Sequence, residues 1–169
     1  MKKLLLTVVA CVSFVFASAQ NQLGVFSMSG NINYGTEIES LGIGLRTQYG
    51  FADRLRGSLE YKYYIDRRNW SEWEINADAH YLLTASETVF LYPIGGLKFS
   101  RWTFDPGRIE ILGVEHNAKK TSKNRLGLNL GFGGQIAMGE NVFIQPEIKY
   151  EFIKDFSQFV FGVGFMYQF

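Results

Sequence analysis

Cysteine occurs once in the 169 residues, at position 11, and proline three times, at 93, 106 and 146. Cys11 lies inside an apolar stretch near the start, so the chain beyond it has no thiol. Neither a disulfide nor a thiolate metal site can form there. Histidine occurs twice, as His80 and His116, far apart and among scattered carboxylates, which makes no metal-ligand set. An excess of one charge is missing too. Lys and Arg total 17 against 16 Asp and Glu, so no nucleic-acid partner is expected. After Phe16 no apolar run approaches the ~20 residues of a membrane helix. No low-complexity linker divides the chain, and about 150 residues make one domain.

What the sequence does hold is aromatic residues, 15 Phe, 9 Tyr and 3 Trp, together with 18 Gly. Their spacing carries the information. Phe159, Phe161, Val163, Phe165, Tyr167 and Phe169 alternate with Val160, Gly162, Gly164, Met166 and Gln168, mainly small or polar residues. A period of two is a β-strand with one apolar face. A strand with lipid on one side and a polar lumen on the other has this signature.

Seven more segments alternate in the same way. Their apolar sets run Phe26 to Tyr34, Leu41 to Tyr49, Leu55 to Ile65, Trp73 to Tyr81, Val89 to Phe99, Leu126 to Ile136 and Val142 to Phe152. Each is about the 9–11 residues that a tilted strand needs to cross a bilayer. Short turns follow the second, fourth and sixth, at Ala52-Asp53, Ala85-Ser86-Glu87 and Gly139-Glu140. Longer loops are expected from Asp66 to Glu72 and from Arg101 to Asn124, with Arg108 to His116 able to form a protruding hairpin. Short periplasmic turns and longer external loops are the asymmetry of an outer-membrane barrel. The fold expected is all-β: an eight-stranded antiparallel up-and-down transmembrane β-barrel. Pro93 and Pro146 fall inside strands, where a missing N–H predicts bulges or local irregularity.

Met1-Lys2-Lys3, the apolar run Leu4 to Phe16 and the small residues Ala17-Ser18-Ala19 predict a secretory signal peptide over 1–19 and a barrel domain over 20–169. Cleavage before Cys11, as in a lipoprotein, is the alternative.

The polar faces carry Arg46, Arg56, Glu60, Lys62, Glu74, Asp78, His80, Lys98, Arg125, Glu147, Lys149 and Glu151. An eight-stranded barrel is just wide enough for side chains to fill. Charges in that space are costly unless paired. The expected network joins Arg46, Arg56, Lys62 and Arg125 to Glu60, Glu74, Glu147 and Glu151. The opposite arrangement is a soluble barrel with an apolar interior, as in lipocalins. Against it stand aromatics at strand ends, Tyr34, Tyr49, Phe51, Tyr63, Trp73, Tyr81, Phe143 and Phe169, which suit two interfacial girdles.

The leader, the eight amphipathic segments, the alternating turns and the final Tyr167-Gln168-Phe169 resemble the small OmpA/OmpX-type outer-membrane β-barrels. The resemblance implies residence in the outer membrane of a Gram-negative-type bacterium after Sec export, as a monomer. It implies contact with outer-membrane lipid and lipopolysaccharide. It also implies that Phe165, Tyr167 and Phe169 form the signal read by the barrel-assembly machinery; the plainer alternative is lipid anchoring.

Catalysis finds little support. His80 is followed by Tyr81-Leu82 and His116 by Asn117-Ala118, so the His-x-Ser of lipid A deacylases is absent. His116 and Ser122 share the long loop, as a palmitoyl transferase would need, at a spacing common by chance. The glycines of Gly127 to Gly134 lack the Lys-Ser/Thr of a phosphate loop. No cofactor is expected. Arg101, Arg108, Lys119, Lys120 and Lys123, with Trp102 and Phe104 at the loop base, could meet lipid A phosphates, serve adhesion or merely be solvated. Three functions remain: a structural or surface-interaction barrel, a narrow porin-like conduit for small or hydrophobic solutes, and a lipid-modifying enzyme.

Overall fold

Alternation of apolar and polar residues gives each strand two unlike faces, and closing the sheet turns one of them inward. In a computed structural model of the protein, residues 22–67, 69–105, 108–111, 114–117 and 120–169 are described. The strands are β1 (Phe26–Gly35), β2 (Ser40–Ala52), β3 (Leu55–Arg67), β4 (Trp70–Tyr81), β5 (Leu83–Thr84), β6 (Val89–Phe104), β7 (Arg108–Ile111), β8 (Val114–Asn117), β9 (Thr121–Ala137), β10 (Val142–Ile153) and β11 (Gln158–Gln168). The eight long ones form one antiparallel sheet in the order β4-β3-β2-β1-β11-β10-β9-β6, closed by β6 on β4. β5 is a two-residue continuation of β4 along β6, and β7 and β8 pair separately as a hairpin. The expected signal peptide and Cys11 lie outside the described residues.

The seam of the barrel joins β1 to β11 from Ser27↔Gln168 to Gly35↔Val160. The Phe169 N–H donates to the Phe26 carbonyl at 3.0 Å, and the two rings sit 5.7 Å apart. Turns at 53–54, 85–88 and 138–141 mark the lower end, together with Phe169. The strand ends Gly35 and Ser40, Arg67 and Trp70, Phe104 and Thr121, and Ile153 and Gln158 mark the upper end.

Two expected loops are shorter than the sequence suggests. β3 runs to Arg67 and β4 begins at Trp70, with Asn69 in the left-handed region (φ 68°) just before it. Glu72 therefore belongs to a strand. β6 and β9 pair as far as Phe104↔Thr121, whereas β10 stops at Ile153↔Gly127. The β6–β9 ribbon thus rises above one side of the barrel, and the β7–β8 hairpin lies within its loop.

The prolines act by removing ladder bonds. Opposite Pro93, pairing to the β4–β5 side lapses between His80↔Ile94 and Leu83↔Leu91. Opposite Pro146, it lapses between Ile144↔Ile136 and Glu147↔Gly133. Neither lapse changes the register, so these are gaps and not bulges. The register shifts occur elsewhere, beside turns, between Gly50 and Ala52 and between Tyr64 and Arg67.

Orientation follows the alternation. On β2, Leu45 is 57% exposed and its neighbour Arg46 is 2% exposed. Ile43, Leu59, Leu97, Leu128, Leu130 and Phe165 face outward in the same way. Aromatics ring the outer wall near the lower end (Phe26, Tyr49, Tyr81, Tyr167, Phe169) and toward the upper end (Tyr34, Tyr63, Trp73, Phe159). Phe143 is the exception among the expected girdle residues. It points inward and is buried, because its neighbours Val142 and Ile144 take the outer face of β10.

Inward glycines make room for long side chains. A Cβ at Gly44 would lie 2.8 Å from Lys62 Cγ, and one at Gly133 would lie 2.5 Å from the Tyr92 ring. The narrow lumen has room for Lys62 and Tyr92 because the paired residue on the neighbouring strand contributes no side chain there.

Candidate functional site

The lumen contains three layers, each built from inward positions of several strands. At its centre, the Arg46 guanidinium donates to both oxygens of Glu147, at 2.6 and 2.7 Å, and to Glu60 at 3.1 Å. Such a bidentate pair is the geometry that a guanidinium fork favours. Lys149 Nζ lies 3.2 Å from Glu60 and 3.3 Å from Asp78. Amides complete the shells: Asn31 donates to Glu60 at 2.6 Å, and Asn129 donates to Asp78 at 2.8 Å. Tyr92 donates its hydroxyl to Glu147 at 2.9 Å.

Above this group, Lys62 meets Glu74 at 2.5 Å and Glu151 at 3.4 Å. Lys98 contacts Glu72 at 3.0 Å and also Glu74 and Glu151. Gln158 donates to Glu72 at 3.3 Å and to Glu151 at 3.0 Å. Below it, Arg56 donates to Gln135 at 2.7 Å, and its guanidinium sits 5.1 Å from the Tyr92 ring centroid. His80 stacks on Tyr92 at 4.9 Å, with Nδ1 3.3 Å from Arg56 and Nε2 3.4 Å from the Ser58 hydroxyl.

Apolar side chains lie at both ends. Trp102 stacks on Phe156 at 4.4 Å, and Ile38, Trp70 and Tyr64 pack with them at the upper end. Phe90, Phe143 and Leu82 are buried toward the lower turns. Of the residues expected in the lumen network, the structure brings together Arg46, Glu60, Lys62, Glu74, Asp78, Lys98, Glu147, Lys149 and Glu151 as ion pairs.

Two expectations are corrected. Arg125 stands at the upper rim, pairs with Asp155 at 3.0 Å and donates to the Lys154 carbonyl. It has inward parity opposite Ser100, but β9 has by then passed the last β10 pair at Ile153↔Gly127, and the side chain is partly exposed. Arg56 is inside the lumen, yet among the described residues no carboxylate lies within ion-pair distance of it. Burial leaves it on an amide and an aromatic face instead.

Glu72 takes part as well, although its charged surroundings suggest a loop. The period of two, extended upstream from Glu74, puts it on the inward face of β4. Tyr92 and Asn129 also take part, although uncharged inward residues carry no pairing signal in sequence.

Among the described residues of the lumen no serine is set up as an activated nucleophile. The Ser58–His80 contact has a guanidinium on the far imidazole nitrogen, where a hydrolytic triad needs a carboxylate. Among the described residues no three His, Cys, Asp or Glu side chains are placed to hold a metal ion. The expected rim residues Arg101, Lys120 and Lys123 are exposed, with Lys120 3.5 Å from Asp105. Lys119 and the side chains of Arg108 and His116 lie outside the described residues.

The fold is shared with known outer-membrane barrels. The N-terminal β-barrel domain of Pseudomonas aeruginosa OprF superposes with a TM-score of 0.69 at 18% identity, over 90% of this chain and 100% of that one. Neisserial surface protein A gives 0.66 at 16% identity, over 86% and 96%. Ail, the attachment invasion locus protein of Yersinia pestis, gives 0.60 at 16% identity, over 86% and 97%. No curated protein matches the sequence. The model of the outer membrane protein beta-barrel domain family matches residues 5–169, so the chain, with its outward apolar wall and charged interior, belongs to that family.

Proposed function

We propose that this protein is a non-conducting, non-catalytic outer-membrane barrel. Its work is structural and is done at its outer surface. The observation that carries the reading is the filled lumen: an ionic centre of paired, buried side chains between two apolar layers. A wide pore would need those ion pairs broken inside a low-dielectric wall, and each broken buried pair is strongly unfavourable.

The one-sided β6–β9 ribbon is the surface element. It carries Arg101 and Lys123 exposed at the rim, suited to phosphate or sulfate groups such as those of lipopolysaccharide. The structure of Ail with the heparin analogue sucrose octasulfate offers a parallel for an anionic partner. In the same reading the upper end faces outward, signal-peptide cleavage follows Sec export, and the barrel is a monomer. Phe165, Tyr167 and Phe169, an exposed row on β11 and at its end, engage the assembly machinery during insertion.

The second reading is a narrow conduit, favoured by the chain of polar side chains along the axis. Planar-bilayer recording separates the two. The filled lumen predicts no steady openings from the refolded protein; a large, sustained conductance would overturn the proposal.

A further inference from the structure

Counting charge along the lumen leaves an imbalance. The buried carboxylates are Glu60, Glu72, Glu74, Asp78, Glu147 and Glu151; the buried cations are Arg46, Arg56, Lys62, Lys98 and Lys149. The central and lower group is balanced, with Arg46, Arg56 and Lys149 against Glu60, Asp78 and Glu147. The upper group is not. Among the described residues Glu72, Glu74 and Glu151 face two cations, Lys62 and Lys98, and all five are fully buried. An uncompensated buried charge is costly, and among the described side chains this layer is one positive charge short.

A second, independent feature marks the same place. Tyr64 OH, Ser100 Oγ, Gln158 Oε1 and Glu72 Oε1 are buried and have no hydrogen-bond partner among the described residues. Glu72 Oε1 does lie 3.0 Å from Lys98 Nζ, an ion-pair contact without hydrogen-bond geometry. The residues that carry them are neighbours: Gln158 also donates its amide N–H to the other oxygen of Glu72, at 3.3 Å. Tyr64 is paired across the sheet with Glu72, Glu72 with Trp102, and Glu74 with Ser100. Gln158 and Tyr64 converge at Gly35, where a Cβ would lie 2.6 Å from Gln158 Oε1 and 3.2 Å from the Tyr64 ring. The Trp102–Phe156 stack, with Ile38 and Trp70, forms the roof.

We infer that this layer binds a small monovalent cation beneath the aromatic roof. Glu72 supplies the charge, and Tyr64, Ser100 and Gln158 supply neutral oxygens. Several hard oxygens around a single excess charge suit an alkali ion. A divalent ion would call for converging carboxylate or imidazole ligands, and the described residues provide no such group. A proton on Glu72 would cancel the charge, but it would leave the three neutral oxygens without partners. Trp102 and Phe156 roof the layer, and Phe156 comes from the 154–157 connection, so exchange with solvent requires that connection to move.

The test uses the full mature chain refolded in detergent micelles. Thermal midpoints are measured in KCl and NaCl against choline chloride at equal ionic strength and constant pH. Binding to the folded state alone predicts a saturable rise with K⁺ or Na⁺ that choline does not produce. Glu72→Gln, which removes the excess charge, should fold and lose that rise. Tyr64→Phe should raise the half-saturating concentration several-fold; it keeps the inference testable if Glu72→Gln fails to fold. Crystals soaked in thallium acetate should show an anomalous peak at this level. The inference is overturned by equal midpoints in all three salts, by a cation response unchanged in both variants, or by a midpoint in choline that responds only to pH, which would identify a proton.

Discussion

Arg46→Met is expected to lower the folding free energy in lipid or detergent by about 3–5 kcal/mol, the cost of leaving buried charge unpaired. Arg46 is the centre of the ionic lumen: it holds Glu147 through two bonds and Glu60 through a third, and all three side chains are nearly or fully buried. Removing it leaves Glu147 with the Tyr92 hydroxyl and Glu60 with Lys149 and Asn31. Arg46→Met combined with Glu147→Leu should recover most of the loss, since an apolar pair of similar volume often equals a buried ion pair. Urea titrations of reversible refolding, read by Trp fluorescence and gel mobility, give the two single changes and the double one. A large coupling energy between the sites is the result expected. Additive losses would mean that the pair acts separately in the folded lumen.

Leu45→Arg should cost about 2–4 kcal/mol, the penalty of a cation at the middle of the lipid-facing wall. Leu45 sits midway along β2 beside Gly30 and Tyr61, with its side chain directed outward. Leu55→Arg, beside the 53–54 turn and opposite Tyr81, should cost only about 0–1 kcal/mol, because the same charge there reaches the interface. The comparison cancels the intrinsic effect of replacing Leu by Arg and isolates depth. Refolding into phospholipid vesicles, followed by urea titration, measures both. In a water-filled surround neither substitution would show this difference, since an exposed Leu→Arg change is close to neutral.

Much of this architecture was legible in the residues because two signals reinforced one another. The period of two identified the inward face of every long strand, and turn residues after the second, fourth and sixth segments set the strand count. The strand ends were less legible. The Asp66 to Glu72 segment looks like a loop by its charge and its Arg and Asn content, yet β4 begins at Trp70 because the Trp70 ring packs on Trp102, Phe104 and Phe156. That packing is a tertiary event with no local signature.

The ion pairs show the same limit. Alternation places a residue in the lumen but does not give its height along the axis, and height decides partners. Arg125 has the correct parity and the wrong height, so it finds Asp155 at the rim. Arg56 has the correct face, but its level holds Gln135, His80 and Tyr92. The prolines were legible as disruptions. That they produce gaps without a change of register depends on Pro93 and Pro146 both pointing outward on strands whose other neighbours stay paired.

The central claim is that the apolar face of each strand meets hydrocarbon while the ionic face lines a closed axis. Nitroxide labels placed singly from residue 40 to residue 52 along β2, in the protein reconstituted in phospholipid vesicles, test it most directly. Collision rates with oxygen and with a water-soluble nickel chelate should alternate with a period of two. Positions 41, 43, 45, 47 and 49 should be open to oxygen and shielded from the chelate, and positions 42, 44, 46 and 48 shielded from both. Chelate access at 43 and 45, or no alternation at all, would contradict the account.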